Sequence, residues 1–130
     1  MNRVVLDASA LLAILNDERG TEIFNQRLDL LENATMSAVN VAEAHAKIVM
    51  SGMDPGDAWS VVTAPISEIV DFSADQAKIC GGLALRTKSL GLSLGDRACL
   101  SLGMVLDAPV YTADRAWKKL DLSITIHVIR

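Results

Sequence analysis

Three observations predict an α/β fold with a central parallel sheet covered by helices on both faces. Short β-branched runs alternate with segments of helical periodicity along the whole chain. Runs such as Val4-Val5-Leu6 are apolar throughout instead of alternating, as strands buried on both faces are. Acidic residues stand where two of these runs end, at the edge where an open parallel sheet has its ligand crevice.

The run Val4 to Leu6 ends at Asp7 and leads into ASALLAILN, in which Leu11, Leu12 and Leu15 recur at helical spacing. This predicts a buried strand feeding a helix. A breaker-rich turn from Asn16 to Gly20 precedes TEIFNQRLDLLENA, where Ile23, Phe24, Leu28 and Leu31 share a face and predict one second helix. ATMSAV predicts a brief strand. Asn40 then opens a helix over VAEAHAKIVM, with Val41, Ala44 and Ile48 on one side.

Punctuation is densest in SGMDPGDAWSVVTAP, which predicts a short helix from Pro55 to Thr63, and Ile66 to Phe72 reads as a strand. Ser73 with Gln76 forms a capping-box pattern opening a helix to about Lys88. Gly81 and Gly82 in its middle cost about 1 kcal/mol each against Ala, so close approach of another backbone is expected there. LGLS breaks the chain, and Ser93 with Asp96 opens a further helix to about Val105. Pro109 to Thr112 reads as a strand leading to Asp114, RAWKKL as a helical turn, and SITIHVI as the last strand.

The 130 residues correspond to a single domain, 1–130, without internal repeat or linker. With 51% apolar and 22% charged residues and a mean hydropathy of +0.31, the chain can close a core without disulfides. The longest stretches free of Asp, Glu, Lys and Arg, Asn33 to Ala42 and Ala58 to Ser67, are ten residues each, whereas a spanning helix needs about 20. Twelve basic against sixteen acidic residues give a net charge of −4, which argues against nonspecific duplex binding by phosphate neutralisation. A nucleic-acid partner would need a local basic strip or bound divalent cations. Cys80 and Cys99 lie in apolar helical surroundings without CxxC or Cys/His spacing, so buried free thiols in a reducing cytoplasm are expected and zinc is not. MNRVVLDASALLAIL, with one positive charge and an apolar run broken by Asp7, makes a poor signal peptide.

Four acids merit attention, and each has a structural explanation. Asp7 and Asp114 stand at strand-to-helix junctions, where Asp caps helices; Glu43 follows Asn40 by three residues, and Asp96 follows Ser93 by three, the acidic place of a capping box. Jointly they say more. If the helices carrying Glu43 and Asp96 start at the edge where Asp7 and Asp114 lie, four carboxylates face one crevice, and their mutual repulsion calls for a divalent cation. Oxygen-only ligands suit Mg²⁺ or Mn²⁺, ions that act on phosphates.

VVLDASALLAIL, NVAEAHAKI, LGLSLGDRACLSLG and VYTADRAW, in this order and spacing, resemble the PIN-domain ribonucleases, and among them the VapC toxins of type II toxin–antitoxin pairs. The likeness spans Val4 to about Ile129. It implies a PIN-like fold, a parallel sheet with helices on both faces. It implies Mg²⁺ or Mn²⁺ held by Asp7, Glu43, Asp96 and Asp114, with the Ser9 hydroxyl supporting the site. It further implies hydrolysis of RNA phosphodiester bonds to 5′-phosphate and 3′-hydroxyl ends, a homodimer, and a VapB-like antitoxin as partner. Ser stands where many relatives carry Thr, and Arg-Ala-Trp follows Asp114 where others have Phe; neither difference touches an expected ligand.

His45 and His127 are read as structural or surface residues. Arg86, Lys88, Arg97 and Arg115 are candidates for a strip facing RNA phosphates, and Trp59 and Trp117 for core or interface anchors. Two other readings stay open at this stage. One is a non-catalytic PIN-like binding module. The other is a phosphate-accepting receiver domain, which would need an acidic pair near the first strand and a late-strand Lys; Leu6 precedes Asp7, and Asp114 stands where that Lys would be.

Overall fold

The computed structural model describes residues 2–130. Strand β1 (Val4–Leu6) passes directly into helix α1 (Ala8–Leu15), because Asp7 stays extended and turns its side chain onto the Ala10 N–H. There follow α2 (Glu22–Gln26), α3 (Leu28–Glu32), β2 (Ala34–Ser37), α4 (Ala38–Met50), α5 (Pro55–Thr63), β3 (Glu68–Val70), α6 (Ala74–Gly82) and α7 (Ala84–Thr87). After a 3₁₀ turn (Lys88–Leu90) come α8 (Leu94–Leu106), β4 (Val110–Thr112), a second 3₁₀ turn (Arg115–Lys119) and β5 (Ile126–Val128).

All strand pairs are parallel, in the order β3-β2-β1-β4-β5, so the α/β class and the covered parallel sheet are as predicted. A flavodoxin-type receiver has the order 2-1-3-4-5, which this sheet does not follow. Successive side chains leave opposite faces: Val4 and Leu6 join Leu11, Phe24, Met36 and Val41, while Val5 joins Leu100, Leu102, Val110 and Trp117. Trp117 is a core anchor at 1% exposure, whereas Trp59 is 46% exposed. Both cysteines are free and buried. Among the described residues no helix is long and apolar enough to cross a membrane.

Three local expectations are corrected. The single helix expected from Thr21 to Ala34 is two, broken at Arg27 (φ −124°, ψ 74°), whose guanidinium clasps Asp29 at 3.1 and 3.0 Å. The break turns Leu30 into the core beside Phe24 and leaves Leu28 exposed. Helix α4 opens one turn earlier than expected, capped by Ser37, whose Oγ accepts the Val39 N–H at 3.2 Å; Asn40 and Glu43 therefore lie within the helix and form no capping box. The helix expected to run to Lys88 stops at Gly82, where the paired glycines weaken it. Nothing approaches them: a Cβ at Gly81 or Gly82 would meet no atom within 4 Å. Ser73 does cap α6 through the Gln76 N–H, but the Gln76 amide donates to the Asp71 carbonyl and completes no box.

Candidate functional site

The order of strands reverses at β1, whose two neighbours are β2 and β4. A crevice beyond the carboxyl ends of strands at such a reversal is where open α/β sheets bind ligands. Asp7 follows β1 there, and Asp114 follows β4 by one residue.

Asp7 is 4% exposed. Its carboxylate accepts the Ala10 N–H at 2.7 Å, the Ser9 hydroxyl at 2.8 and 2.9 Å, and the Thr112 hydroxyl at 2.5 Å. Burial pushes its pKa up to about 6; the bonds from Thr112, Ala10 and Ser9 oppose that rise, and the negative charge of Asp96 adds to it. Desolvation outweighs three hydrogen bonds. Ser9 also accepts the Ala113 N–H at 3.0 Å, tying α1 to the end of β4. Thr112 accepts the Asp114 N–H at 3.1 Å, so one hydroxyl links the backbone of Asp114 to the carboxylate of Asp7.

Asp96 completes the expected capping box with Ser93, at 2.9 and 3.1 Å, and Asp114 caps the following 3₁₀ turn through the Ala116 N–H at 2.9 Å. In both carboxylates one oxygen is engaged by backbone and the other carries no protein bond. Glu43 differs: its Oε1 accepts from the Asn40 amide at 2.9 Å, and its carboxylate lies directly over Gly95, where a Cβ would collide with it. That contact sets Glu43 beside the first turn of α8, next to Asp96. Cys99, one turn along α8, has its thiol pushed well above its ordinary range, first by burial and then by the charges of Asp7, Asp96 and Glu43. Three carboxylates from three elements thus act on one buried atom.

The structure therefore sets Glu43 against the first turn of α8 beside Asp96, leaves Asp7 within reach of the Asp96 charge, and joins Asp114 to Asp7 through Thr112. Among the described residues, no three His, Cys, Asp or Glu side chains approach closely enough to enclose a metal ion together. The donor set nonetheless suits a hard divalent cation. All the ligands are oxygen, the burial of Asp7 makes its charge costly without a counter-ion, and Mg²⁺ typically keeps several waters and takes only one or two carboxylates directly.

Of the other residues weighed from sequence, His45 bonds the Pro55 carbonyl at 2.9 Å and packs edge-on against Trp59, and His127 stacks on Tyr111 at 4.6 Å. Both are structural. Arg97 donates to the Cys80 carbonyl at 3.1 Å, while Arg115 is exposed. Sequence reasoning missed Thr112, Asn40 and Gly95. Asn40 carried a signal: it precedes Glu43 by three residues, so both share one helix face once the helix start is placed at Ala38.

A parallel sheet with carboxylates at its strand-order reversal puts the chain among the open α/β proteins, whose ligand crevice lies at that edge. The family model described as PIN domain matches residues 4–122, and the chain belongs to the PIN domain family. No protein of curated function matches it. Its fold is similar to that in VapBC2 from Rickettsia felis bound to a promoter DNA fragment (TM-score 0.75, 19% identity, 98% of each chain covered). It is similar also to DNA-bound VapBC from Salmonella typhimurium (TM-score 0.72, 17% identity, 100% of each chain). A third likeness is to VapC20 of Mycobacterium tuberculosis, a sarcin–ricin loop cleaving toxin (TM-score 0.70, 11% identity, 88% of this chain and 92% of that one).

Proposed function

We propose that this chain is a divalent-metal-dependent ribonuclease, the toxin of a VapBC-type pair, working at the edge that carries Asp7, Glu43, Asp96 and Asp114. The observation that carries the reading is the buried Asp7 carboxylate at the β1/β4 reversal, with Asp96 and Glu43 close enough for their charges to meet at Cys99. Isolated helix caps have no reason to converge in this way.

In this reading Asp7, Glu43, Asp96 and Asp114 hold Mg²⁺ or Mn²⁺. The ion would supply activation of water and charge stabilisation at the phosphate. Ser9 and Thr112 fix the Asp7 carboxylate, and Asp96 and Asp114 would each offer the ion the oxygen that their caps leave unengaged. Among the described residues, Arg86, Lys88, Arg97 and Arg115 form no ion pair, which leaves their charge available to RNA phosphates on a chain of net charge −4.

The fold likeness to VapBC complexes supports a VapB-like antitoxin as partner. A homodimer in the cytoplasm is part of the same proposal. The test is incubation of the purified chain with total RNA and Mn²⁺ or Mg²⁺, with and without chelator, beside Asp7→Asn. Metal-dependent cleavage that falls at least about a hundredfold in the variant is expected. Metal-independent cleavage equal in both proteins would overturn the assignment, and absence of cleavage with retained RNA binding would favour a non-catalytic PIN-like module.

A further inference from the structure

Asn40 is a polar residue in the first turn of α4, 2% exposed, between the apolar neighbours Val39 and Val41. Both protons of its amide are committed: Nδ2 donates to Glu43 Oε1 at 2.9 Å and to the Gly95 carbonyl at 2.9 Å. Its Oδ1, also buried, has no partner among the described residues. Flipping the amide would aim that oxygen at two acceptors, so the two bonds themselves fix the orientation. The amide thus keeps both of its donated bonds although its own oxygen goes unpaired.

Gly95 provides the other half. The carboxylate of Glu43 occupies the space a Cβ would fill at that position, and the same glycine's carbonyl receives Asn40. One amide thus grips α4's acid and the first turn of α8 together, one residue before Asp96. We propose that Asn40 is a positioning residue: with Gly95 as its seat it sets the Glu43 carboxylate in register with Asp96 for joint binding of a divalent cation. This rests on the metal-site reading of the acids given above.

A merely structural role makes a different forecast. Asn40→Ala would then strip the buried Gly95 carbonyl of its donor and lower stability while leaving metal binding alone. If Asn40 positions Glu43, Asn40→Ala weakens Mn²⁺ binding at least about tenfold, as loss of partners that orient metal ligands does. The experiment measures Mn²⁺ affinity by electron paramagnetic resonance on the full chain as wild type, Asn40→Ala, Glu43→Gln and the double variant. Because Asn40 acts through Glu43, the double variant is expected to bind no more weakly than Glu43→Gln alone. Wild-type affinity in folded Asn40→Ala, or effects that multiply in the double variant, would overturn the proposal. Asn40→Leu, which keeps the bulk and removes the donors, replaces the alanine variant if that one does not fold. The same four proteins are unfolded in urea without metal, where a coupling of about twofold or more in the unfolding constant is expected between the two sites. Wild type that binds no Mn²⁺ while the urea coupling persists would overturn the metal reading and leave the seat standing, whereas additive effects in urea would overturn the seat itself.

Discussion

Thr112 donates its hydroxyl proton to Asp7 Oδ2 at 2.5 Å, joining the last residue of β4 to the first residue beyond β1. Thr112 Oγ1 in turn accepts the Asp114 N–H, so the two acids flanking the crevice share one hydroxyl.

Thr112→Val keeps the β-branched shape and removes both contacts. A buried carboxylate loses a donor and a backbone N–H loses its acceptor, so a loss of about 1–3 kcal/mol is expected. Thr112→Ser, which retains the hydroxyl, should lose clearly less. Urea midpoints at pH 7 for the three proteins decide it; equal midpoints for Val and Ser would show that the hydroxyl adds nothing beyond volume.

The raised pKa of Asp7 makes a signed forecast for the metal-free protein. Its carboxyl titrates near 6 when folded and near the ordinary 3.8 when unfolded, so between those values the native state binds more protons. The contribution of Asp7 to stability is therefore most favourable below about pH 4 and falls as pH rises to about 6, by about 3 kcal/mol in total, then stays level. Asp7→Asn, with no charge to bury, should lack this component and exceed wild type in stability at pH 7. A variant that follows the wild-type pH profile throughout the window would contradict the assignment.

Much of the frame was legible because its signals are local. The apolar run Val4–Leu6 meeting Asp7, and Ser93 with Asp96, each complete their structure within a few residues, and both elements lie where expected. The breaks at Arg27 and Leu83 were not legible, since helical periodicity continues across them and only the turn of Leu30 toward Phe24, or the weakness of two adjacent glycines, decides the outcome. For the candidate site the four acids were visible as residue types at strand ends and helix starts. Thr112 and Gly95 were not, because their partners lie 105 and 55 residues away in sequence.

The glycines divide by the space around them. A Cβ at Gly103 would stand 2.6 Å from Val110 Cγ2 and 3.1 Å from Ile124 Cδ1, where α8 crosses the sheet, so Gly103→Ala should overpack that contact and cost about 1 kcal/mol net of its gain in helix propensity. Gly81→Ala meets open space and should stabilise α6 by about 0.5–1 kcal/mol. Thermal melts of the two variants should move in opposite directions; a stabilised Gly103→Ala would mean that α8 can shift away from β4 without loss.

Clustered carboxylates also predict linkage between metal and fold. At free Mn²⁺ one hundred times its Kd, binding to the native state alone stabilises by about 2.7 kcal/mol. Wild type should therefore melt higher with MnCl₂ than with NaCl of equal ionic strength, and Asp7→Asn should show little of this difference. Protonation of Asp7 competes with the ion, so the wild-type shift should be full above about pH 6 and shrink as pH falls below it. Melting curves in the two salts at pH 5 and pH 7.5 test both statements. Equal shifts in wild type and Asp7→Asn would assign the effect to general screening and detach Asp7 from the ion, and a shift that ignores pH would show that the ion binds without displacing the proton held there.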